Sequence, residues 1–339
     1  MDYIFLGFNH DNSFNQDKAL SAFDSLEIPC MQSHPILHRS LKSPYAQKVM
    51  LAIGYLNQPY LSFIAPKGIP RPVEEILVGN YSRRIPILQI GADLYCDSEL
   101  IVSTLATQAN MSSLLEYPSD EEAQQWIKKI EMKGAYVMFG ALKPLELIVG
   151  YFKNMPPNHA WKFITDRMKL AKKLEGVKSA LPHDKKVQQA RSYLEALDQQ
   201  LSKHDFLLTD NAPTSVDFTA FTMVYYHHII NGLKHAKGLN HLLSWFSRME
   251  AIGTGQMQEI SGQETLDIAR NAEPAPIDEA LRLSPRIGQK VAYRNKGFMP
   301  EMNEAVEGVI VGEDDHKIIL RRENPQVGTV HVHFPKLDY

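Results

Sequence analysis

Leu37 to Asn57 reads LHRSLKSPYAQKVMLAIGYLN, and this stretch decides the fold. A short apolar strand runs through a loop into a helix opened by Ser43 and Pro44. Serine is a favoured N-cap and proline suits the first helical position. Ala46, Val49, Ile53 and Leu56 recur at helical spacing and form a buried face. The Ser43 hydroxyl therefore stands where the first backbone N–H groups of a helix converge. Such a junction favours an anion, because orphan amides and the helix dipole both direct positive charge outward.

A thiolate is one suitable guest. A free thiol titrates near pH ~8.5, and lowering that by about two units, roughly 2.7 kcal/mol, makes most of it nucleophilic at neutral pH. A hydroxyl donated to a charged acceptor contributes roughly 1.5–3 kcal/mol and the helix end ~0.3–1 more, enough without a metal. Taken alone, these residues also fit a serine that caps a helix and does nothing else.

Working outward, the chain has 339 residues, more than one compact domain usually holds, so two or three units are expected. The net charge of -3 gives no general electrostatic reason to bind nucleic acid or an anionic membrane, and neither partner is expected. Only Cys30 and Cys96 occur, which fits a reducing, cytoplasmic setting better than a disulfide scaffold. The opening MDYIFLGF lacks a basic n-region and carries Asp2, unlike a signal peptide. No apolar run is long enough to span a bilayer.

Residues 1–33 read as an N-terminal extension, with helical patterning only from Gln16 to Leu26. From His34 the pattern predicts a strand at Ile36 to His38, the Pro44 helix, a strand near Leu61 to Ile64 and a proline-rich loop through Pro66, Pro70 and Pro72. A hairpin over Ile85–Gln89 and Leu94–Cys96 follows, turning at Gly91, and then a helix from Asp97-Ser98-Glu99. The order β-α-β-loop-β-β-α packs helices on a small mixed sheet. Beyond Pro118 the periodicity turns helical. A first long helix carries Trp126, Ile130, Tyr136 and Val137 and is expected to kink or end at Pro144. Further helices are expected at Ala160–Leu174, Lys185–Lys203, Thr214–Asn231 and Leu239–Met249, with Thr214 to Asp217 resembling a capping box. Asn271 to Pro285 reads as a linker, and KVAYR, AVEGVIV, KIILRR and TVHVHF beyond it as a small all-β module, in the form of a compact barrel.

Three motifs carry a resemblance: SPYAQKV opening the first helix, RRIPILQ entering the third strand, and CDSELI opening the next helix. In this order, with a helical half behind them, they resemble the glutathione S-transferases. His34 to Ala106 is similar to the thioredoxin-like domain of that family and Asp120 to Met249 to its all-helical domain. The expected organisation is an extension over 1–33, a thioredoxin-like glutathione-binding domain over 34–108, an all-helical domain over 119–270 and the β module over 285–339.

The resemblance implies roles for particular residues. Ser43 falls where serine-type members stabilise the glutathione thiolate, which implies conjugation, isomerisation or peroxide reduction more than cysteine-based thiol transfer. Pro86 matches the cis-proline of the fold, and Ile85 would offer its backbone N–H and C=O to the cysteinyl part of glutathione. Without the family, Pro86 is a strand-edge proline. Asp97 and Ser98 match the acidic-Ser pair that holds the γ-glutamyl end, where an ammonium needs a carboxylate and a carboxylate suits a helix start. Arg84 would reach the glycyl carboxylate, with Arg83, Lys67 and Arg71 as weaker candidates. Tyr45, Tyr136 and Phe139 are candidates for the wall of an electrophile pocket, although aromatics at helical spacing commonly serve the core.

The implied ligands are glutathione as co-substrate and a small hydrophobic electrophile, the chemistry of detoxification, with the chain paired as a homodimer. No metal is expected. HVH places His331 and His333 on one strand face without a further ligand cluster, and Cys96 reads as a buried small residue more than a redox thiol. The alternative function is a non-catalytic glutathione-binding or regulatory protein on the same scaffold, in which the added segments at both ends serve partners.

Overall fold

The computed structural model describes residues 34–40, 43–66, 70–111, 114, 121, 125–126, 129–130, 134, 140–154, 156–173, 181–294 and 305–336. The N-terminal extension, Lys67, Tyr136, Val137, Phe139 and Tyr339 lie outside the described residues.

Strand β1 (Ile36–Arg39) leads to helix α1 (Pro44–Tyr55) as the opening stretch predicts. Ser43 keeps extended backbone, φ -72° and ψ 122°, and its hydroxyl accepts the Ala46 N–H at 3.4 Å. Strand β2 (Tyr60–Ile64) runs parallel to β1, with Ile36 opposite Leu61. Strands β3 (Ile87–Ile90) and β4 (Asp93–Cys96) form the expected hairpin, antiparallel to each other, and helix α3 (Ser98–Gln108) follows.

The proline-rich loop is a correction. It contains helix α2 (Pro72–Val78) and a 3-10 turn over Gly79–Arg83. Pro72 occupies the start of the helix, where its missing N–H costs nothing, and Glu74 and Glu75 sit in the first turn, where the dipole favours acids. Pro144 likewise does not merely end a helix. The described residues between 121 and 140 are largely helical, and Pro144 begins helix α4 (Pro144–Asn154). Helices α5 (Pro157–Lys173), α6 (His183–Leu201), α7 (Ser215–Asn231) and α8 (Asn240–Ala251) complete the helical half close to the expected positions. Val49 and Ile53 of α1 and Ile101 and Leu105 of α3 share one apolar core with Val216, Phe218, Phe221 and Trp245.

One close approach locks these two halves together. A Cβ on Gly54 would lie 2.4 Å from the Gly253 carbonyl oxygen, a backbone atom that cannot swing aside. Gly54→Ala is expected to cost about 1–3 kcal/mol through overpacking, read as a lowered thermal midpoint. An unchanged midpoint would mean that the 253–255 segment yields freely.

The C-terminal strands form as predicted, but they do not close into a barrel. Strand β5 (Met257–Glu259) adds parallel to β2, and helix α9 (Gly262–Arg270) follows, capped by Ser261 and Glu264. Then come β6 (Lys290–Tyr293), β7 (Val306–Glu313), β8 (Lys317–Asn324) and β9 (Gly328–Pro335). The nine strands of the described residues make one sheet in the order β5-β2-β1-β3-β4-β9-β8-β7-β6. Strand β9 lies parallel to β4, with Asp93 opposite His331 and Tyr95 opposite His333. It thereby covers an edge that the hairpin would otherwise leave open. Beneath this joint, Leu77, Tyr81, Leu94 and Cys96 pack with Leu320, Val330, Val332 and Phe334 in a common core. The supposed linker is also held: Ala275 N–H donates to Asp93 Oδ2 at 2.7 Å and Leu281 is buried.

Candidate functional site

Three strand ends and two helix starts meet at one end of the sheet. In the register, Ile87 faces His38 on one side and Cys96 on the other. Pro86, one residue before, therefore stands next to Asp97, one residue after, where β1 hands the chain toward Ser43. The Ile85–Pro86 peptide is cis. Ser43, Arg84, Ile85 and Asp97 are half-buried, whereas Pro86 and Ser98 are buried. The register thus sets Ile85 and Pro86 beside Asp97 and Ser98, Arg84 acts on Asp97 electrostatically, and Ser43 caps the helix that follows β1. Because Pro44 has no N–H, the exposed amides of α1 begin at Tyr45.

Asp97 is the unusual member. Its φ of +88° and ψ of 136° lie in a region that costs a non-glycine residue roughly 1–3 kcal/mol. Its Oδ1 accepts the Glu99 N–H at 3.0 Å, capping α3. Burial pushes the Asp97 carboxyl above its usual range and the Glu99 charge adds to this, while the Glu99 N–H, Lys48 and Arg84 oppose it. Desolvation, the largest of these effects, makes the charged form of Asp97 costly. Tyr45 belongs to the same electrostatic cluster: burial raises its phenol, Asp97 and Glu99 raise it further, and Arg84 lowers it. The other two residues assigned to the pocket wall, Tyr136 and Phe139, lie outside the described residues.

Arg71, a weaker candidate for a ligand carboxylate, serves the backbone instead. Its Nε donates to the Pro66 carbonyl at 2.8 Å and its Nη1 to the Ser82 and Arg83 carbonyls at 3.0 and 2.8 Å, with 5% of the residue exposed. Cys96 is fully buried, and burial first, then Asp97, pushes its thiol well up while Arg322 opposes them.

Sequence reasoning missed Lys48, Glu99 and Thr219. Lys48 is buried on α1, pairs with Glu99 Oε1 of α3, and donates to Thr219 Oγ1 of α7 at 3.0 Å. Thr219 Oγ1 in turn donates to Glu99 Oε1 at 3.0 Å. This triad ties the sheet domain to the helical half directly behind Asp97. The available signal was a lone lysine interrupting the apolar face of α1, with an acid in the first turn of α3.

His331 and His333 turn inward to Asp93. His333 Nε2 hydrogen-bonds Asp93 Oδ1 at 2.8 Å, and His331 Nδ1 lies 3.8 Å from the same oxygen. Among the described residues, no group of three or more His, Cys, Asp or Glu is placed to hold a metal ion. His333 is thus the side chain that ties β9 to β4.

The sequence profile of the glutathione S-transferase N-terminal domain matches residues 37–113, and that of the C-terminal domain matches residues 160–252. Among solved structures, the chain is similar to a GST-like protein from Pseudomonas syringae, at 26% identity and a TM-score of 0.68 over 90% of this chain and 97% of that one. A glutathione S-transferase from Methylobacillus flagellatus, solved with GSH bound, is 18% identical with a TM-score of 0.45 over 65% of this chain and 98% of that one. No curated protein matches.

Proposed function

Because the chain belongs to the glutathione S-transferase superfamily, we propose that it binds glutathione at the Ser43–Pro86–Asp97 end of the sheet and ionises the thiol for attack on a small hydrophobic electrophile or a peroxide. The observation that carries this reading is Asp97, an acid held at a φ of +88° at the start of α3 beside Pro86, whose carboxyl burial pushes above its usual range. An ammonium group placed beside it restores the charge compensation that burial removes. The γ-glutamyl end of glutathione offers an ammonium and a carboxylate on one carbon. Asp97 takes the first, and Ser98 with the α3 N-terminus takes the second.

In this reading the Ile85 backbone groups pair with the cysteinyl residue and Arg84 meets the glycyl carboxylate. The sulfur then comes to Ser43, whose hydroxyl donates to it while the α1 N-terminus adds its field. The thiol proton leaves to solvent. With an aryl halide, the thiolate forms a C–S bond and halide departs with the bonding pair. Of the residues that the resemblance offers for the electrophile side, Tyr45 is the described one and takes that place in this reading. The protein works as a cytoplasmic homodimer, and it uses no metal.

Ser43→Ala tests the central step. The variant is expected to stay on immobilised glutathione, with the bound thiol titrating about one to two units higher and conjugation of a chromogenic aryl halide falling about 10–100-fold. Unchanged thiolate absorbance at neutral pH would remove Ser43 from its role. Retention by the parent protein without turnover of any aryl halide or organic peroxide would leave a binding protein on the transferase scaffold.

A further inference from the structure

Helix α4 presents one face to the protein and the opposite face to solvent. Gly150 seats it against Ile230, whose Cδ1 would lie 2.9 Å from a Cβ there. The Tyr151 and Tyr226 hydroxyls are 2.7 Å apart, and Asn154 Nδ2 donates to the Ile229 carbonyl at 2.7 Å. On the other face Leu145, Ile148, Val149 and Phe152 recur at i, i+3, i+4 and i+7 and are 69, 39, 44 and 39% exposed. Trp161 and Met168 of α5 are 63 and 59% exposed. Six of the nine exposed large apolar side chains among the described residues therefore belong to one helical pair. Apolar exposure concentrated in this way marks an interaction surface.

We propose that the α4–α5 pair docks on an anionic phospholipid bilayer, with Leu145, Ile148, Val149, Phe152 and Trp161 in the boundary between headgroups and acyl chains. Charge selects this occupant. Residues 143–173 carry seven Lys or Arg against two Asp or Glu, in a chain whose net charge is -3. One of those acids, Glu146, is already paired with Lys234. Lys143, Lys153 and Lys162 are exposed on these two helices and the turn before them. A second copy of the same face would bring these cations against each other, whereas anionic headgroups neutralise them. At about 1.5 Å per residue α4 is too short to cross a bilayer. No helix of the described residues is long and apolar enough to cross one. An amphipathic helix with cationic flanks and an exposed tryptophan lies in the interface instead. The overall charge of the chain conceals this local field.

The test is flotation of the full-length protein with vesicles of phosphatidylcholine alone and of phosphatidylcholine mixed with phosphatidylglycerol. Partition onto the anionic vesicles is expected to be about tenfold higher or more, falling as salt is raised. Lys153→Gln and Lys162→Gln are each expected to lower it about fivefold. Phe152→Glu is expected to abolish it with an unchanged melting curve, since that side chain lies on the exposed face. Equal partition onto both vesicle types, no partition at all, or full partition of the Phe152→Glu variant would overturn the proposal. So would self-association in sedimentation velocity that Phe152→Glu removes while vesicles stay unbound, because a second copy would then be the occupant.

Discussion

A chain ending at Ser284 is expected to aggregate rather than to persist as a trimmed two-domain protein. Such a cut removes β6 to β9, which the sequence presents as a separable module. In the fold, however, Val330, Val332, Phe334, Ile318 and Leu320 are at most 1% exposed and close over Leu77, Val78, Tyr81, Leu94 and Cys96. Fully burying one such apolar side chain is worth roughly 1.5–3 kcal/mol, and whole domains are stable by only about 5–15 kcal/mol. Uncovering five of them costs roughly 7.5–15 kcal/mol, as much as that whole margin. The cut also opens the β4 edge, strips His333 from Asp93, and removes Arg322, whose Nη1 donates to the Leu77 carbonyl at the end of α2 at 2.7 Å. Soluble yield and thermal unfolding report the outcome. A soluble truncated chain that melts within a few degrees of the full-length protein would show that the two parts are independent. Phe334→Ala gives the graded version: Phe334 packs edge-on against Tyr81 at 5.4 Å, and its truncation is expected to cost about 3–5 kcal/mol.

Asp217→Ala is expected to destabilise the helical half by about 3–5 kcal/mol. Asp217 is fully buried and accepts four hydrogen bonds. Its Oδ1 takes the Leu207 N–H at 2.8 Å and the Trp245 indole N–H at 2.9 Å, and its Oδ2 takes the Thr214 N–H at 2.9 Å and the Thr214 hydroxyl at 3.0 Å. Alanine leaves four donors without an acceptor, each costing roughly 1–3 kcal/mol before relaxation and water entry reduce the sum. Urea denaturation measures the loss, and a change below about 1 kcal/mol would mean that the carboxylate is not the node joining α7, α8 and the 205–214 loop. Asp217→Asn should fall between alanine and the parent, because its amide oxygen still accepts while its NH₂ faces donors. The sequence shows the capping box from Thr214 to Asp217, yet a cap alone is worth only ~1 kcal/mol. The larger expected cost comes from Leu207 and Trp245, which no local pattern connects to Asp217.

The same division runs through the candidate site. Ser43 with Pro44, the hairpin turning at Gly91, and the start of α3 at Asp97 were all readable, because caps and tight turns are made by residues within four positions of one another. The candidates Arg84, Ile85, Pro86 and Ser98 came from the motifs that carry them, and the register set Pro86 beside Asp97. The helix α2 was missed because three prolines looked like a loop, although one of them occupies the helix start where proline is welcome.

Local pattern alone therefore fixed most of the elements, though not α2, β5 or α9, together with the family resemblance and the identity of the residues at the strand ends. Only the tertiary structure decided that Lys48 meets Glu99 and Thr219, 51 and 171 positions away. It alone decided that His333 answers Asp93 across 240 positions, and that four apparently separate strands extend the first sheet. Propensity and spacing act over a turn or two. Which edge a strand joins, and which charge a buried lysine finds, depends on apolar faces that meet only when the whole chain has closed over them.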